Sequence, residues 1–329
     1  MNMNDKKMAL IYILEILKEY SDKNHTLTQS DIINKLDNIY GIVLERKTIG
    51  SHLQLLIDCD YDIIYVPKSG YYLGKRDLDE NQIKFLIDAV YSSKMITGDD
   101  AKEIAKKLYS NLSRYEQKDF SYIHKSMDVN RISNADIFKN IEIINEAIEQ
   151  NKKISFIYQE YDKKGNLVDS RDGKRLYVSP YFLINNFSKY YLICNFDYYD
   201  DHTNFRVDFM KDINIIKYDA KPYKDVVTLG ENFNISKHMN DHIYMFGGNI
   251  IHARVELLDK KAITYVKDWF GSNSTIMEID GKLYASIKSN EQAFHYWVLQ
   301  YLEHIKVVEP QSLVDKIVKK LKDSLELYK

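Results

Sequence analysis

Aromatic and cationic side chains occur together between residues 175 and 210, on stretches with the alternation typical of β-strands. Tyrosine rings offer flat faces to a base, and guanidinium or ammonium groups donate charge-assisted hydrogen bonds to phosphate or carboxylate. The combination predicts a groove for a stacked, negatively charged ligand. The candidate ligand-binding residues are Ser155, Tyr158, Arg175, Tyr177, Tyr181, Lys189, Tyr190 and Arg206.

Two of these positions have alternative interpretations. Successive residues of a strand face opposite sides, so only one of Tyr190 and Tyr191 faces the groove, and the sequence leaves open which one. The other tyrosine would pack in a core. For Arg206, the structural alternative to a ligand contact is a salt bridge with Asp208 or Asp212.

A second cluster of polar side chains begins a helix in the N-terminal region. Residues 46–52 read Arg-Lys-Thr-Ile-Gly-Ser-His, which places cations and hydroxyls on its first two turns. In a helix-turn-helix these turns enter the major groove of DNA, and the tip of a following hairpin contacts the flanking backbone. The alternative is a fold of this kind used only for protein contacts. The candidate DNA-binding residues are Arg46, Lys47, Thr48, Ser51, His52, Lys68 and Ser69.

The remaining reactive side chains do not predict an active site. His238 and His242 are four residues apart, but helical periodicity is absent around them and no zinc-protease glutamate accompanies them, so we predict a solvated loop and no metal site. Cys59 and Cys194 lie in apolar stretches, which predicts reduced thiols with a packing role. No nucleophile motif or phosphate-binding glycine-rich loop is present. We therefore expect no catalytic residues, no cofactor and no enzymatic activity.

The elements that would position the DNA-binding residues are three helices and a hairpin. Apolar spacing predicts helices over residues 8–20, after Thr28 and over residues 45–59, the last with Ile49, Leu53, Leu56 and Ile57 facing inward. Residues 61–73 read as a hairpin. This order predicts a winged helix-turn-helix domain over residues 1–76.

The rest of the chain changes periodicity twice. Residues 77–150 read as a helical connector, and residues 151–220 as a small all-β barrel or strongly bent sheet that carries the aromatic groove. Residues 221–329 read as a second connector followed by a βαββαβ order, which is the ferredoxin-like arrangement. The predicted fold class is therefore a multidomain α+β protein.

Composition limits the classes of partner. A chain of 329 residues favours two or three domains. With 46 basic and 48 acidic residues the net charge is −2, so any polyanion site must be local. No apolar run approaches the roughly 18 residues that span a bilayer, and the first residues lack a signal-peptide core, so we expect a cytoplasmic protein without a membrane partner.

Short motifs in three regions resemble those of one protein family. Residues 46–49, Arg-Lys-Thr-Ile, followed by Gly-Tyr-Tyr-Leu at 70–73, are similar to the winged-helix domains of bacterial regulators. Residues 189–192, Lys-Tyr-Tyr-Leu, after Ser-Pro-Tyr at 179–181, resemble the WYL domain. Residues 265–268, 280–281 and 307–310 resemble the C-terminal extension of WYL regulators.

The resemblance implies a homodimeric transcriptional regulator in which an SH3-like or Sm-like WYL barrel senses a nucleic acid or nucleotide-like ligand. Of the basic groove residues of the family, Arg175 and Arg206 have matches. A further arginine is replaced by Phe209, which makes the groove less cationic, and a basic position of the winged helix is Ser51.

We therefore expect a regulator that binds double-stranded operator DNA as a homodimer on a pseudo-palindromic site. A single-stranded nucleic acid or a nucleotide would be the effector. The alternative is a single-stranded nucleic-acid-binding accessory protein without a regulatory role, and a second rival is an enzyme acting on nucleic acid.

Overall fold

Helices and antiparallel sheets alternate along the chain, which has a mixed α/β architecture. The computed structural model describes residues 3–117, 136–231 and 233–329. The chain divides into two compact units, Met1–Ala135 and Asp136–Lys329.

The first unit begins with three helices around one apolar core. Side chains of all three helices are fully buried there, among them Ile13, Ile32 and Ile49. The second helix starts with a capping box between Thr28 and Asp31, which satisfies backbone N–H groups that the helix leaves free. The helices are α1 (Met3–Tyr20), α2 (Gln29–Tyr40) and α3 (Arg46–Asp58).

The predicted hairpin is present as β1 (Ile63–Val66) and β2 (Gly70–Leu73), which pair antiparallel. Gly70 has a φ of 125°, and a Cβ atom there would lie 2.4 Å from the backbone oxygen of Leu27. Only glycine permits this approach, in which Leu27 and Tyr71 exchange backbone hydrogen bonds of 2.8 and 2.7 Å. The hairpin is thereby fixed to the segment before α2.

The prediction that Ile57 faces inward is wrong. Its side chain is 38% exposed, whereas Leu53 and Leu56 are buried as expected. The residue is the penultimate one of α3 and lies in the last turn of the helix.

Two further helices, α4 (Glu80–Ser92) and α5 (Gly98–Tyr109), complete the described part of this unit. Hydrogen bonds connect the segments next to these helices with the hairpin. The Arg76 guanidinium donates hydrogen bonds to the backbone oxygens of Ser21 (2.7 Å) and Asn111 (3.1 Å), and the Ser113 hydroxyl donates to Asp22 (2.7 Å). These bonds hold the ends of α1, β2 and α5 together.

The second unit begins with α6 (Ile137–Glu149), which packs on a six-stranded antiparallel sheet. The strand order is β4-β3-β5-β6-β7, and β8 pairs with β3 in addition to this order. The strands are β3 (Lys152–Tyr161), β4 (Leu167–Asp169), β5 (Arg175–Asn186), β6 (Lys189–Asn195), β7 (Thr203–Arg206) and β8 (Met210–Asp219).

A short helix, α7 (Ile235–Asp241), leads to a C-terminal module with the predicted order of elements. Its four antiparallel strands are arranged β10-β11-β9-β12 around a core that includes the fully buried Phe294 and Trp297. The elements are β9 (Ile250–Leu257), α8 (Lys261–Phe270), β10 (Ser274–Ile279), β11 (Lys282–Asn290), α9 (Glu291–Gln300), β12 (Ile305–Glu309) and α10 (Gln311–Glu326).

Candidate ligand cavity and DNA-contact surface

A cavity of about 490 Å³ lies in the second unit, at one end of strands β6 and β7. Tyr191 and Arg206 are register partners on these strands, so their side chains share one face of the sheet. Aromatic and amide side chains surround them. The cavity is lined by Tyr158, Asn186, Phe187, Lys189, Tyr191, Asn204, Arg206, Tyr244, Met245, Phe246 and Trp269.

Arg206 is held in place by a buried carboxylate. Its Nε and Nη2 atoms donate to the two oxygens of Asp208 at 3.1 and 2.6 Å, and the Asp208 side chain is fully buried. The guanidinium also lies 4.1 Å from the centre of the Phe209 ring. Burial lowers the pKa of Arg206, but the hydrogen bonds and charge of Asp208 outweigh it, so the net shift is upward. Arg206 therefore forms the salt bridge with Asp208 that the sequence left as an alternative, and its side chain also lines the cavity.

Tyr158 and Tyr191 supply neutral phenol groups beside this cation. Burial raises the pKa of Tyr158 to about 12, and it also raises the pKa of Tyr191. Tyr158 is fixed by edge contacts with Phe205 and Phe209, whose ring centroids lie 4.9 and 5.9 Å away. Both hydroxyls therefore remain protonated at neutral pH and can donate hydrogen bonds to a ligand.

The opposite wall comes from beyond residue 240, and the sequence analysis missed it. The ring of Trp269 lies 5.3 Å from those of both Phe187 and Tyr244, and its Nε1 donates to the Tyr301 hydroxyl at 3.0 Å. One sequence signal was available. Trp269 is a large aromatic residue that lies outside the apolar stripe of α8 formed by Ala262, Val266 and Phe270.

Only three of the predicted ligand-binding residues line this cavity: Tyr158, Lys189 and Arg206. On the strand where the sequence left two options open, Tyr191 faces the cavity and Tyr190 is not part of its lining. The ligand-binding roles of all these residues stay predictions.

The other predicted ligand residues lie elsewhere on the sheet. Arg175 donates to the backbone oxygens of Ser155 (3.1 Å) and Asp212, so its guanidinium ties neighbouring strands together. Tyr177 is 56% exposed, and Tyr181 is buried in the core between the sheet and the segment before α7. The strand pattern predicted that successive side chains face opposite sides of the sheet, but not which side forms the cavity.

The predicted DNA-binding side chains of α3 form an exposed surface. Arg46, Lys47 and Ser51 are exposed, while Thr48 and His52 are half-buried. Arg46 Nε donates to the Gln29 side chain at 2.7 Å, which links the start of α3 to the start of α2. Burial lowers the pKa of His52, so its ring is neutral at physiological pH.

The hairpin tip is also exposed. Lys68 and Ser69 project at the turn, and the Thr26 hydroxyl donates to the Ser69 backbone oxygen at 2.9 Å. The tip is therefore anchored to the loop before α2, while its lysine stays accessible.

The solvated loop predicted for His238 and His242 is wrong. His238 lies within α7 and His242 directly follows it, and both side chains are buried. Their rings stack with centroids 4.2 Å apart, and the His202 ring lies 5.0 Å from that of His238. The seven-residue helix is too short to show an apolar period, which explains the error.

Burial keeps these histidines uncharged. It lowers the pKa of His202 to about 4 and that of His238 to about 3, and in both cases the neighbouring His242 adds to the shift. Among the residues that the structure describes, no group of histidine, cysteine, aspartate or glutamate side chains is arranged to hold a metal ion.

The two cysteines differ. Cys194 is fully buried, and burial raises the pKa of its thiol, in agreement with a packing role. Cys59 is exposed, so the packing role predicted for it is wrong. It follows the last residue of α3, where the apolar run of the helix no longer faces the core.

Family comparisons match both parts of the second unit. Residues 139–215 match the WYL domain, and residues 249–325 match the WCX domain. The first match contains the strands that carry Tyr158, Tyr191 and Arg206, and the second contains Trp269. No curated protein matches the chain.

Two solved structures show distant likeness. Proteasome accessory factor B/C (PafBC) of Arthrobacter aurescens is 15% identical with a TM-score of 0.30, and the match covers 98% of this chain but 49% of that one. The chain therefore spans about half the length of that protein. A CRISPR Cas-related protein known from a crystal structure is 16% identical with a TM-score of 0.39, over 98% of this chain and 85% of that one. In the described residues, no helix is long and apolar enough to cross a membrane.

Proposed function

We propose that this chain, in which a WYL domain is followed by a WCX domain, is a transcriptional regulator. It binds operator DNA through α3 and the hairpin and senses an effector in the cavity at Arg206. In this proposal α1–α3 and the hairpin form a winged helix-turn-helix, the sheet of the WYL domain is an SH3-like barrel, and the C-terminal module is ferredoxin-like. The protein acts in the cytoplasm as a homodimer, without a catalytic step.

One observation carries the sensing proposal. The cavity combines an oriented guanidinium with the neutral phenols of Tyr158 and Tyr191 and the ring of Trp269. Flat rings beside a cation and hydroxyl donors suit a base or nucleotide, because stacking and charge-assisted hydrogen bonds act on the same ligand.

The DNA-binding proposal is supported by the exposed start of α3. Arg46 and Lys47 project from its first turn, and Lys68 projects from the hairpin tip. In a helix-turn-helix, side chains of the recognition helix reach base edges while basic residues outside the groove contact phosphates. The overall charge of −2 requires this local concentration of cations, since the whole protein has no field that attracts DNA.

The second candidate function is a single-stranded nucleic-acid-binding accessory protein. The aromatic cavity favours it, because stacking platforms bind single strands without sequence readout. In that case α3 would only position the protein on duplex DNA, and effector binding would not alter operator affinity.

Fluorescence anisotropy with three probes separates the candidates. The probes are the duplex upstream of the encoding gene, a scrambled duplex of equal length, and one strand of the first duplex. We expect tight binding to the first duplex, binding at least about a thousandfold weaker to the scrambled duplex, and measurable binding to the single strand. Equal affinity for both duplexes with tighter binding to the single strand would contradict the regulator and support the accessory protein.

A further inference from the structure

The C-terminal module contains a second cavity, with a volume of about 570 Å³. The loop at residues 247–249 forms one side of it, the first two turns of α9 form another, and α10 forms the third. A volume of this size accommodates one small molecule. The cavity is separate from the one at Arg206, because the two have no lining residue in common.

The start of α9 holds the loop of this cavity in shape. The side-chain amide of the buried Asn290 donates to the backbone oxygen of Gly247 at 3.1 Å. The backbone N–H of Glu291 donates to the backbone oxygen of Asn249 at 2.9 Å. Gly248 has a φ of 105°, which residues with a side chain rarely adopt. In the described residues the N–H groups of Gly247 and Gly248 have no hydrogen-bond partner, so they are available to a ligand.

Cations predominate among the charged side chains of this cavity. Lys316, Lys319 and Lys320 line it from α10, against two carboxylates, Glu291 and Asp323. Lys316 forms an ion pair with Glu291. Lys319 and Lys320 form no ion pair within the part of the chain that the structure describes, although Asp323 lies one turn further along the same helix. The charge of these two lysines is therefore available to a ligand.

The electrostatic potential inside the cavity is positive at His295, which lines it. Burial has the largest effect in lowering the pKa of His295, and the charges of Lys320 and Lys316 lower it further, against the opposing effect of Glu291. The lysine charges therefore outweigh the carboxylate at this point. The imidazole is neutral at physiological pH, and the field around it attracts an anion.

The donors of the cavity suit a phosphate monoester better than a carboxylate. A phosphate monoester carries close to two negative charges at neutral pH, on three oxygens that point in different directions. Lys319 and Lys320 approach as point charges from α10, and the loop presents its N–H groups from another side. Arginine, whose planar fork matches a carboxylate in two places, is absent from the lining residues that the structure describes.

An apolar wall lies beside these donors. Leu313, which belongs to the core of the module, and the ring of Tyr296 line the cavity. The Tyr296 side chain is 50% exposed, and its ring centroid lies 5.6 Å from that of Phe246. A ligand gains from both kinds of surface only if it joins an anionic head to an apolar body.

We propose that this cavity binds a small phosphate monoester, with its phosphate on Lys319, Lys320 and the loop and its apolar body on the Tyr296 ring. The site is distinct from the effector site proposed at Arg206 and does not depend on it. The ligand is not a nucleic-acid strand, because each internal phosphodiester of a strand carries only one negative charge. The C-terminal module is then a ligand-binding module in its own right.

Isothermal titration calorimetry of the full chain tests the site with phenyl phosphate as the probe. The matched ligands are benzoate, which has a carboxylate head, and methyl phenyl phosphate, which is a singly charged diester. We expect both to bind about tenfold or more weakly than phenyl phosphate, because each has one negative charge where the monoester has close to two. Equal affinity of either matched ligand would overturn the assignment to a monoester.

The charge variants are Lys319→Gln with Lys320→Gln, and Lys322→Gln as the control. Lys322 lies on the same helix but does not line the cavity. We expect the double variant to weaken phenyl phosphate binding by about tenfold or more, since two charge-assisted hydrogen bonds are lost, and the control to match the wild type. The three lysines are exposed, so the variants should keep the wild-type circular dichroism spectrum. Unchanged affinity in the folded double variant would contradict the inference.

A ring variant tests the apolar wall independently of charge. Tyr296→Ala should weaken phenyl phosphate binding by about fivefold and leave the binding of inorganic phosphate unchanged. Because the Tyr296 side chain is half-exposed, its removal leaves the core around Trp297 intact. An equal loss for both ligands would contradict packing of the apolar body on this ring.

A variant of the other cavity locates the probe. Lys189→Gln removes a cation that lines the Arg206 cavity and has no part in this one. We expect it to bind phenyl phosphate like the wild type. Loss of binding in Lys189→Gln, with binding retained in the lysine double variant of α10, would place the probe at Arg206. The inference would then be wrong, whereas the sensing function proposed above would stand.

Discussion

The start of α3 and the cavity at Arg206 both present cations, but in opposite physical settings. Arg46 and Lys47 are exposed, and Arg46 donates a hydrogen bond to the neutral side-chain amide of Gln29, so their charge is available to a phosphate. Arg206 is largely buried and bound in two places by a carboxylate. The first surface suits a ligand with many charges, and the second suits one that fits a shape and stacks.

This contrast separates affinity from selectivity. Exposed cations displace the counterions that surround DNA when the protein binds it, which gives strong but salt-sensitive affinity. A compensated guanidinium gives less affinity, but it fixes the position of a polar group against the rings around it. We therefore expect variants of the two regions to affect different observables.

The largest expected effect is on stability, from Arg206→Ala. Removing the guanidinium deprives the buried Asp208 of its two charge-assisted hydrogen bonds, which should lower the free energy of unfolding by about 3–5 kcal/mol. Urea unfolding followed by tryptophan fluorescence measures it, since both tryptophans lie in the second unit. Arg206→Lys should lose less. Lys47→Ala, on the exposed surface of the first unit, should change stability by less than about 0.5 kcal/mol, followed by circular dichroism because that unit contains no tryptophan. Similar losses for Arg206→Ala and Lys47→Ala would remove the contrast between the two regions.

The second effect is on operator binding, from Arg46→Ala combined with Lys47→Ala. Loss of two exposed cations should weaken operator binding by about 2 kcal/mol and lower its salt slope by about 1.8. The thermal stability should stay near that of the wild type. Lys102→Ala, an exposed lysine on α5, is the control and should bind the operator normally. An unchanged salt slope in the double variant would place the DNA contact elsewhere.

The third expected effect is a pH dependence in the stability of the second unit. His202 and His238 have folded-state pKa values of about 4 and 3, below the unfolded value near 6.5, so the unfolded chain binds more protons between these limits. Stability is therefore fully present above about pH 6.5 and falls as the pH decreases towards 4 and then 3. The slope should be about 1.4 kcal/mol per pH unit for each histidine.

Variants of the histidine cluster test this pH dependence. Urea unfolding between pH 7 and pH 5 should show a shallower slope for His238→Gln than for the wild type. His252→Gln, at an exposed position of β9, should keep the wild-type slope. If both variants behave alike, the buried cluster is not the source of the acid sensitivity.

Local patterns predicted much of the fold. The capping residue Thr28, the spacing of Ile49 and Leu53, and the alternation across β9–β12 each specify a local element, so helices, the hairpin and the C-terminal order followed from the sequence. Where the pattern was short or terminal it failed, as at α7 and Cys59. In both places neighbours distant in sequence, rather than local periodicity, determine burial.

The sequence predicted residues on only one wall of the cavity at Arg206. Alternation placed Tyr158, Lys189 and Arg206 on the correct strands, because a strand period of two is visible in the sequence. The other wall, with Tyr244 and Trp269, depends on how the segment after β8 and the C-terminal module pack against the sheet. No local pattern encodes that packing.

Coupling between the two regions is the central claim, and one titration tests it. Operator affinity of the wild-type protein is measured at increasing concentrations of a single strand of about twelve nucleotides. We predict a change in operator affinity of about fivefold or more that saturates with the affinity of the strand, and a much smaller change for Arg206→Lys. Saturated binding of the strand with unchanged operator affinity would contradict the account.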